Sequence, residues 1–350
     1  MSPHLSLTEE TPAPDDSVQV YDPPTRPDGA INVYNYKGQR FLSAHLLETP
    51  PPMRWKNFCK PLLRQFLKHH VPIKWHGCVG CGVEGGVFKV FFGDDGPYAL
   101  KLFWNTRPQE PLNRGRPFVF PFQDEARHVA IIEKIRWAVQ HSENPIMVHP
   151  SPKSSELKLE NLYCFSEEGQ RSPPEFESSI PMCSADYINR CHGWLKLDKK
   201  DWPKNYVQCE WRGRPYSPEQ ADYRWAIVYD YVSSNIKEHD LNVTQANIDF
   251  FYLTGFEFAY CKPDNWRQGK LVDFGDLYSP FKRIVQVTPP RRWSAETWLK
   301  DKPVKPLTWW TSGAIRETVV GEGGLNPTRI EGIMIDVMEW RNIRTGDDHV

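Results

Sequence analysis

From Gly80 to Phe103 the chain reads G-C-G-V-E-G-G-V-F-K-V-F-F-G-D-D-G-P-Y-A-L-K-L-F, and no other stretch constrains the fold as much. Gly80, Gly82, Gly85 and Val87 fit the pattern G-x-G-x-x-G-x-V in full. Glycines permit tight turns and let backbone N–H groups come close to a phosphate. A dinucleotide fold needs a strand, such a loop, and then a helix. Here "GVFKVFF" (86–92) alternates and is rich in β-formers, "GDDG" (93–96) is a tight-turn signal, and "YALKLF" (98–103) alternates again. The expectation is therefore a glycine loop joining two antiparallel strands as a flap over nucleotide phosphates, with a hairpin to a third strand.

Four more residues extend that reading. Lys101 ends "YALK", fourteen positions after Val87, where a cation would hold the α- and β-phosphates. Its expected carboxylate partner lies on the helix predicted over "PFQDEARHVAIIEKIRWAVQH" (121–141), which puts Val129, Ile132 and Ile135 on one side. Glu125 is the first candidate, with Asp124 and Glu133 as alternatives. Further on, "KPDN" ends in Asn265, and "KLV" leads into Asp273-Phe274-Gly275. An amide oxygen and a carboxylate can bind Mg²⁺ together, a hard cation that takes oxygen ligands.

In this order, glycine loop, "YALK", K-P-x-N and D-F-G resemble the protein-kinase-like superfamily, from about Ile73 to Pro280. More narrowly, "VFKVFFGDDGPYALKLF", "FQDEAR" and "NWRQGKLVDF" look like the kinase-like fungal proteins grouped with the FTA subunits of the kinetochore Sim complex. The resemblance implies an α+β, two-lobed fold, with a β-rich N-lobe carrying one helix and a mainly helical, truncated C-lobe. It also implies ATP and Mg²⁺ as ligands and protein partners that include kinetochore subunits.

The pattern breaks where the catalytic Asp should stand. In H-R-D-L-x-x-x-N the Asp is five residues before the Asn, and counting back from Asn265 gives Tyr260, with Phe258 and Ala259 at the His and Arg positions. A phenol with an ordinary pKa near ~10 is a poor general base at neutral pH. His239-Asp240-Leu241 lies too close to the preceding strand to replace it and reads as a turn before a helix capped by Thr244. The expectation is a kinase-fold pseudoenzyme or interaction module, with an active atypical kinase or small-molecule phosphotransferase as the alternative.

Residues 1–30 are rich in Pro, Asp, Ser and Thr and read as a disordered tail. An N-terminal extension follows over 31–72, with an amphipathic helix expected in "RWKNFCKPLLRQFLKHH" (54–70), starting at Lys60 or kinked at Pro61. The N-lobe is placed at 73–232, with a long insertion within 143–222, and the C-lobe at 233–350. Further expected elements are a strand over 224–232 at the end of the N-lobe and, in the C-lobe, a strand over 269–274 and a helix over 330–340. The segment "RWSAETWLKDKPVKPLTWW" (292–310) is a candidate partner surface, with core as the alternative.

A formal net charge of −1 gives no reason to expect direct nucleic-acid binding. No run approaches the roughly 20 apolar residues of a membrane span, and the first residues do not read as a secretory signal. Eight cysteines without such a signal favour reduced thiols in nucleus or cytoplasm. Cys78-Val-Gly-Cys81 has the spacing of a zinc half-site, but a second such pair is missing, so it reads as two small residues beside the glycine loop.

Overall fold

The structure is a computed structural model that describes residues 40–82, 84–106, 120–182, 184–202, 210–211, 214–215, 222–233, 240–258, 262–281 and 292–299. It is a mixed α+β fold built on one large mixed sheet. The 1–30 tail, His239, Tyr260 and the 330–340 helix lie outside the described residues.

The chain enters through β1 (Leu42–Leu46), a short helix α1 (Trp55–Cys59) and β2 (Leu63–Gln65). The helix expected over 54–70 is thus corrected to one turn and a strand. Pro61 cannot continue the helix, and Leu63 and Arg64 are buried in a sheet instead. Next come β3 (Ile73–Cys81), β4 (Gly85–Phe92) and β5 (Asp95–Phe103), the expected antiparallel series. Helix α2 (Pro121–His141) covers the predicted span from end to end, with Pro121 in its first turn, where a missing N–H costs nothing.

The stretch expected to be irregular carries β6 (Met147–Val148), α3 (Ser155–Tyr163), α4 (Glu167–Arg171), β7 (Ile180–Pro181), β8 (Cys191–Asp198), β9 (Glu210–Trp211) and β10 (Arg214–Pro215). Then β11 (Tyr223–Asp230) and α5 (Leu241–Leu253) follow. The cap of α5 is Asp240, not Thr244: its Oδ1 accepts from the N–H groups of Asn242 and Val243 at 2.9 and 3.1 Å. Thr244 lies inside the helix, and its hydroxyl donates to the Asp240 carbonyl at 2.9 Å. The chain continues through β12 (Glu257–Phe258), β13 (Trp266–Arg267), β14 (Lys270–Leu271), β15 (Leu277–Tyr278) and α6 (Ala295–Leu299). The strand expected over 269–274 is only β14, hairpinned to β13.

The sheet runs β1-β2-β8-β11-β5-β4-β3. The strands from β8 to β3 are antiparallel, and β2 adds to β8 in parallel. Strand alternation sorts side chains to two faces. Leu100, Leu102, Ala226 and Val228 join Phe66, Phe88, Val90 and Phe92 on one face. Phe103, Ile227 and Tyr229 join the apolar residues of α2 on the other. Burying one Leu, Ile or Phe contributes about 1.5–3 kcal/mol, so this alternation fixes the register firmly. Lys101, between Leu100 and Leu102, therefore points toward α2.

Candidate active site: a shared ammonium beneath a glycine loop

Register sets the neighbours of Lys101, because it pairs with Val87 on β4 and Ile227 on β11. Its ammonium donates to Glu125 Oε2 at 2.6 Å and to Asp273 Oδ1 at 2.8 Å. Glu125 has no exposed surface and Lys101 is only 6% exposed. Of the three candidate partners for Lys101, the fold selects Glu125; Glu133, two turns on, pairs with Arg64 instead. The other Glu125 oxygen accepts from the Tyr229 hydroxyl at 2.7 Å. Burial alone would lower the Lys101 pKa, but Asp273, Glu125 and Glu84 more than offset it and hold the ammonium well above its ordinary value.

Asp273 and its neighbours are held in place from several sides. Gly275 N–H donates to Asp273 Oδ1 at 3.0 Å. Phe274 is fully buried, stacks on Tyr229 with centroids 5.5 Å apart, and its carbonyl lies 3.0 Å from His128 Nδ1 on α2. Burial would raise the Asp273 carboxyl, yet the Lys101 charge and hydrogen bond hold it below the usual range. The β13–β14 hairpin brings Asn265 alongside: Val272 N–H donates to the Asn265 carbonyl at 2.8 Å. Asn265 Nδ2 in turn donates to Asp276 Oδ2 at 2.6 Å, an oxygen that Lys262 also reaches at 2.5 Å.

The glycine loop is tied down at its far side. Trp104 donates through its backbone N–H to the Glu84 carbonyl at 3.0 Å and through its indole to the Gly82 carbonyl at 2.9 Å. Gly85 must be glycine, since a Cβ there would come 2.4 Å from the Leu102 carbonyl oxygen. No such crowding faces Gly80, where an added Cβ would meet nothing within 4 Å among the described residues. Glu84 turns into the site. A Cβ placed on Gly275 would lie 2.9 Å from Glu84 Oε2, 3.1 Å from Glu125 Oε2 and 3.2 Å from Asp273 Oδ1. Three carboxylates thus converge around one ammonium. Burial raises the Glu84 carboxyl to about 7 against the opposing Lys101 charge, with Asp273 and Glu125 adding to the rise.

The residues predicted from sequence come together in two groups. Glu125 and Asp273 meet at the Lys101 ammonium. Val87 is the register partner of Lys101, and Gly82 N–H donates to the Gly85 carbonyl within the loop. A Cβ added to Gly80 would meet nothing described, and Asn265 is tied by its backbone to Val272, next to Asp273. Glu84, Tyr229, His128, Lys262 and Asp276 were not singled out. An acid inside a glycine loop, and a second Asp three residues after Asp273, were the available signals for two of them. Trp298, in the proposed partner segment, is buried against Phe258 with centroids 4.8 Å apart, so this part of the segment is core. Among the described residues no group of three His, Cys, Asp or Glu could hold a metal ion by itself. No helix among them is long and apolar enough to cross a membrane. Compared with known proteins, the chain matches no family model, and no curated protein matches it significantly.

Proposed function

We propose that the chain is a kinase-like pseudoenzyme, a module that binds ATP with Mg²⁺ and acts through protein partners. The observation that carries this reading is the contact of Glu125, Lys101 and Asp273, three residues far apart in sequence that one nucleotide site would require together. In this reading the large sheet with α2 is the N-lobe, and the segment from α5 onward belongs to the C-lobe.

The residues fit the ligand. Lys101 would hold the α- and β-phosphates. Asp273 and the Asn265 amide oxygen are hard donors, and Mg²⁺ usually takes one or two protein groups together with substrate phosphates and water. One ammonium against three carboxylates leaves negative charge that a divalent cation would neutralise. The space above Gly80 admits a ligand close to the backbone, and nothing else in the described fold demands glycine there. Tyr260 supplies no carboxylate at the base position, which supports binding without fast turnover. Kinetochore subunits of the Sim-complex kind are the proposed partners, and a pull-down from fungal nuclear extract that recovers none of them would remove that part.

The test is a thermal-shift titration with ATP and Mg²⁺. Ligand at 100 times its Kd adds ~2.7 kcal/mol of apparent stability. The shift is expected in the wild type and lost in Lys101→Ala and Asp273→Ala; a chain that shifts equally in all three does not use this site.

A second reading, an atypical phosphotransferase, is favoured by one observation: Asp276 presents a carboxylate to the Asn265 amide and Lys262. A positioned general base contributes ~10²–10⁴-fold. Turnover of MgATP that drops by that order in Asp276→Asn, with binding intact, would replace the pseudoenzyme reading.

A further inference from the structure

In a regular strand, residues three apart point to opposite faces. Cys78 and Cys81 are three apart on β3, yet their sulfurs lie 3.7 Å from each other. The ladder between β3 and β4 is irregular at this point, with register shifts between Trp75 and Gly77 and between Cys78 and Gly80. Gly77, at φ +139°, has a backbone that side chains rarely allow. A bulge re-aims side chains in this way, and bulges recur beside functional sites. Here its effect is to bring two thiols together at the mouth of the glycine loop.

We propose that Cys78 and Cys81 form a redox-active dithiol, which a low-molecular-weight disulfide such as glutathione disulfide converts to an intramolecular disulfide that stiffens the glycine loop. The two sulfurs are already in van der Waals contact and need to close only to a bonded separation of about 2.05 Å. Cys78 is exposed and Cys81 partly so. Cys164 differs: it is buried, with its thiol pushed up to about 12 by that burial. Cys59 is exposed too, but burial pushes its thiol up to about 11, and no second sulfur contacts it among the described residues. Attack requires thiolate and access, so the Cys78–Cys81 pair is where an intramolecular disulfide can form.

The step balances. The Cys78 thiolate attacks one sulfur of glutathione disulfide, that S–S bond breaks, and one glutathione leaves as its thiolate. The Cys81 thiolate then attacks the Cys78 sulfur, the bond to the second glutathione breaks, and that glutathione leaves. The protein loses two electrons and two protons; the glutathione disulfide gains both and becomes two glutathiones. The new bond fixes the backbone from Cys78 to Cys81, the strand that delivers Gly80 and Gly82 into the loop.

The test needs no nucleotide and so stands apart from the function proposed above. The full chain is equilibrated with glutathione disulfide, mapped by peptide mass spectrometry, and followed by hydrogen exchange at residues 80–85. The expected result is a peptide lighter by two hydrogens that contains both cysteines, restored by dithiothreitol, with loop exchange several-fold slower in the oxidised form. Cys78→Ser and Cys81→Ser each stop at a glutathione adduct or stay unmodified. A wild type that accumulates the mixed disulfide, or remains reduced, overturns the proposal. So does a disulfide that leaves loop exchange unchanged.

Discussion

Lys101 carries the electrostatics of the site, because one ammonium serves Glu125, Asp273 and Glu84 together. Removing one partner of a buried ion pair costs about 3–5 kcal/mol, since the other charge stays buried. Lys101→Met should therefore lower the unfolding free energy read from urea titration by an amount of that order, and adding Glu125→Leu in the same chain should recover part of it. If Lys101→Met costs under about 1 kcal/mol, the pair behaves as an exposed one. Glu84 gives a pH signature of definite sign. Its folded pKa of about 7 stands above the ordinary value of 4.5, so the native state keeps a proton that the unfolded chain releases in that window. The stabilisation is complete below 4.5 and is lost as pH rises through 7. Comparing wild type with Glu84→Gln from pH 4 to 8 should show a difference of about 3 kcal/mol across the window; parallel curves would place Glu84 in solvent. Ionised Glu84 also repels phosphate, so nucleotide affinity should fall between pH 6 and 8, and fall less in Glu84→Gln.

Among the elements, those with local signals were legible and those made by distant pairing were not. α2 could be read to its ends because its apolar spacing is continuous and Pro121 marks its start. β3, β4 and β5 announced themselves through alternation and the turn at 93–96. β2 did not: it has three residues, and its partners are β1 and the distant β8, so the apolar spacing around Pro61 mimicked a helix. Asp240 and Thr244 are both capping residue types, and only the bonds from the Asn242 and Val243 N–H groups to Asp240 Oδ1 distinguish them. Within 143–222, where the sequence predicts a long insertion, one side chain ties the stretch around His149 and α3 to α5. Asn161, fully buried, donates to the His149 and Leu253 carbonyls at 2.9 Å each and accepts from His149 N–H at 2.7 Å. Asn161→Ala should cost on the order of 3 kcal/mol by leaving buried backbone groups without partners, read as a lower thermal midpoint with unchanged native circular dichroism. A loss below about 0.5 kcal/mol would mean that water replaces the amide.

For the whole molecule, the order of the motifs predicted which residues would meet, and their meeting depends on the sheet. Lys101 on β5, Glu125 on α2 and Asp273 after β14 converge because strand alternation turns one face of β5 toward α2, and because Phe274 anchors the following turn against Tyr229. What sequence order left open was the charge balance, since Glu84 and Asp276 enter from neighbouring backbone turns. That balance, an acidic site with one shared ammonium, makes the account specific: nucleotide should bind with its metal and poorly without it. The most direct measurement is isothermal titration of the wild-type chain with ATP, in Mg²⁺ and again in excess EDTA, with Asp273→Asn alongside. One saturable site is expected in Mg²⁺, weakened at least about tenfold, a change of ~1.4 kcal/mol, by EDTA or by Asp273→Asn. Equal binding under all three conditions, or none at millimolar MgATP, would contradict it.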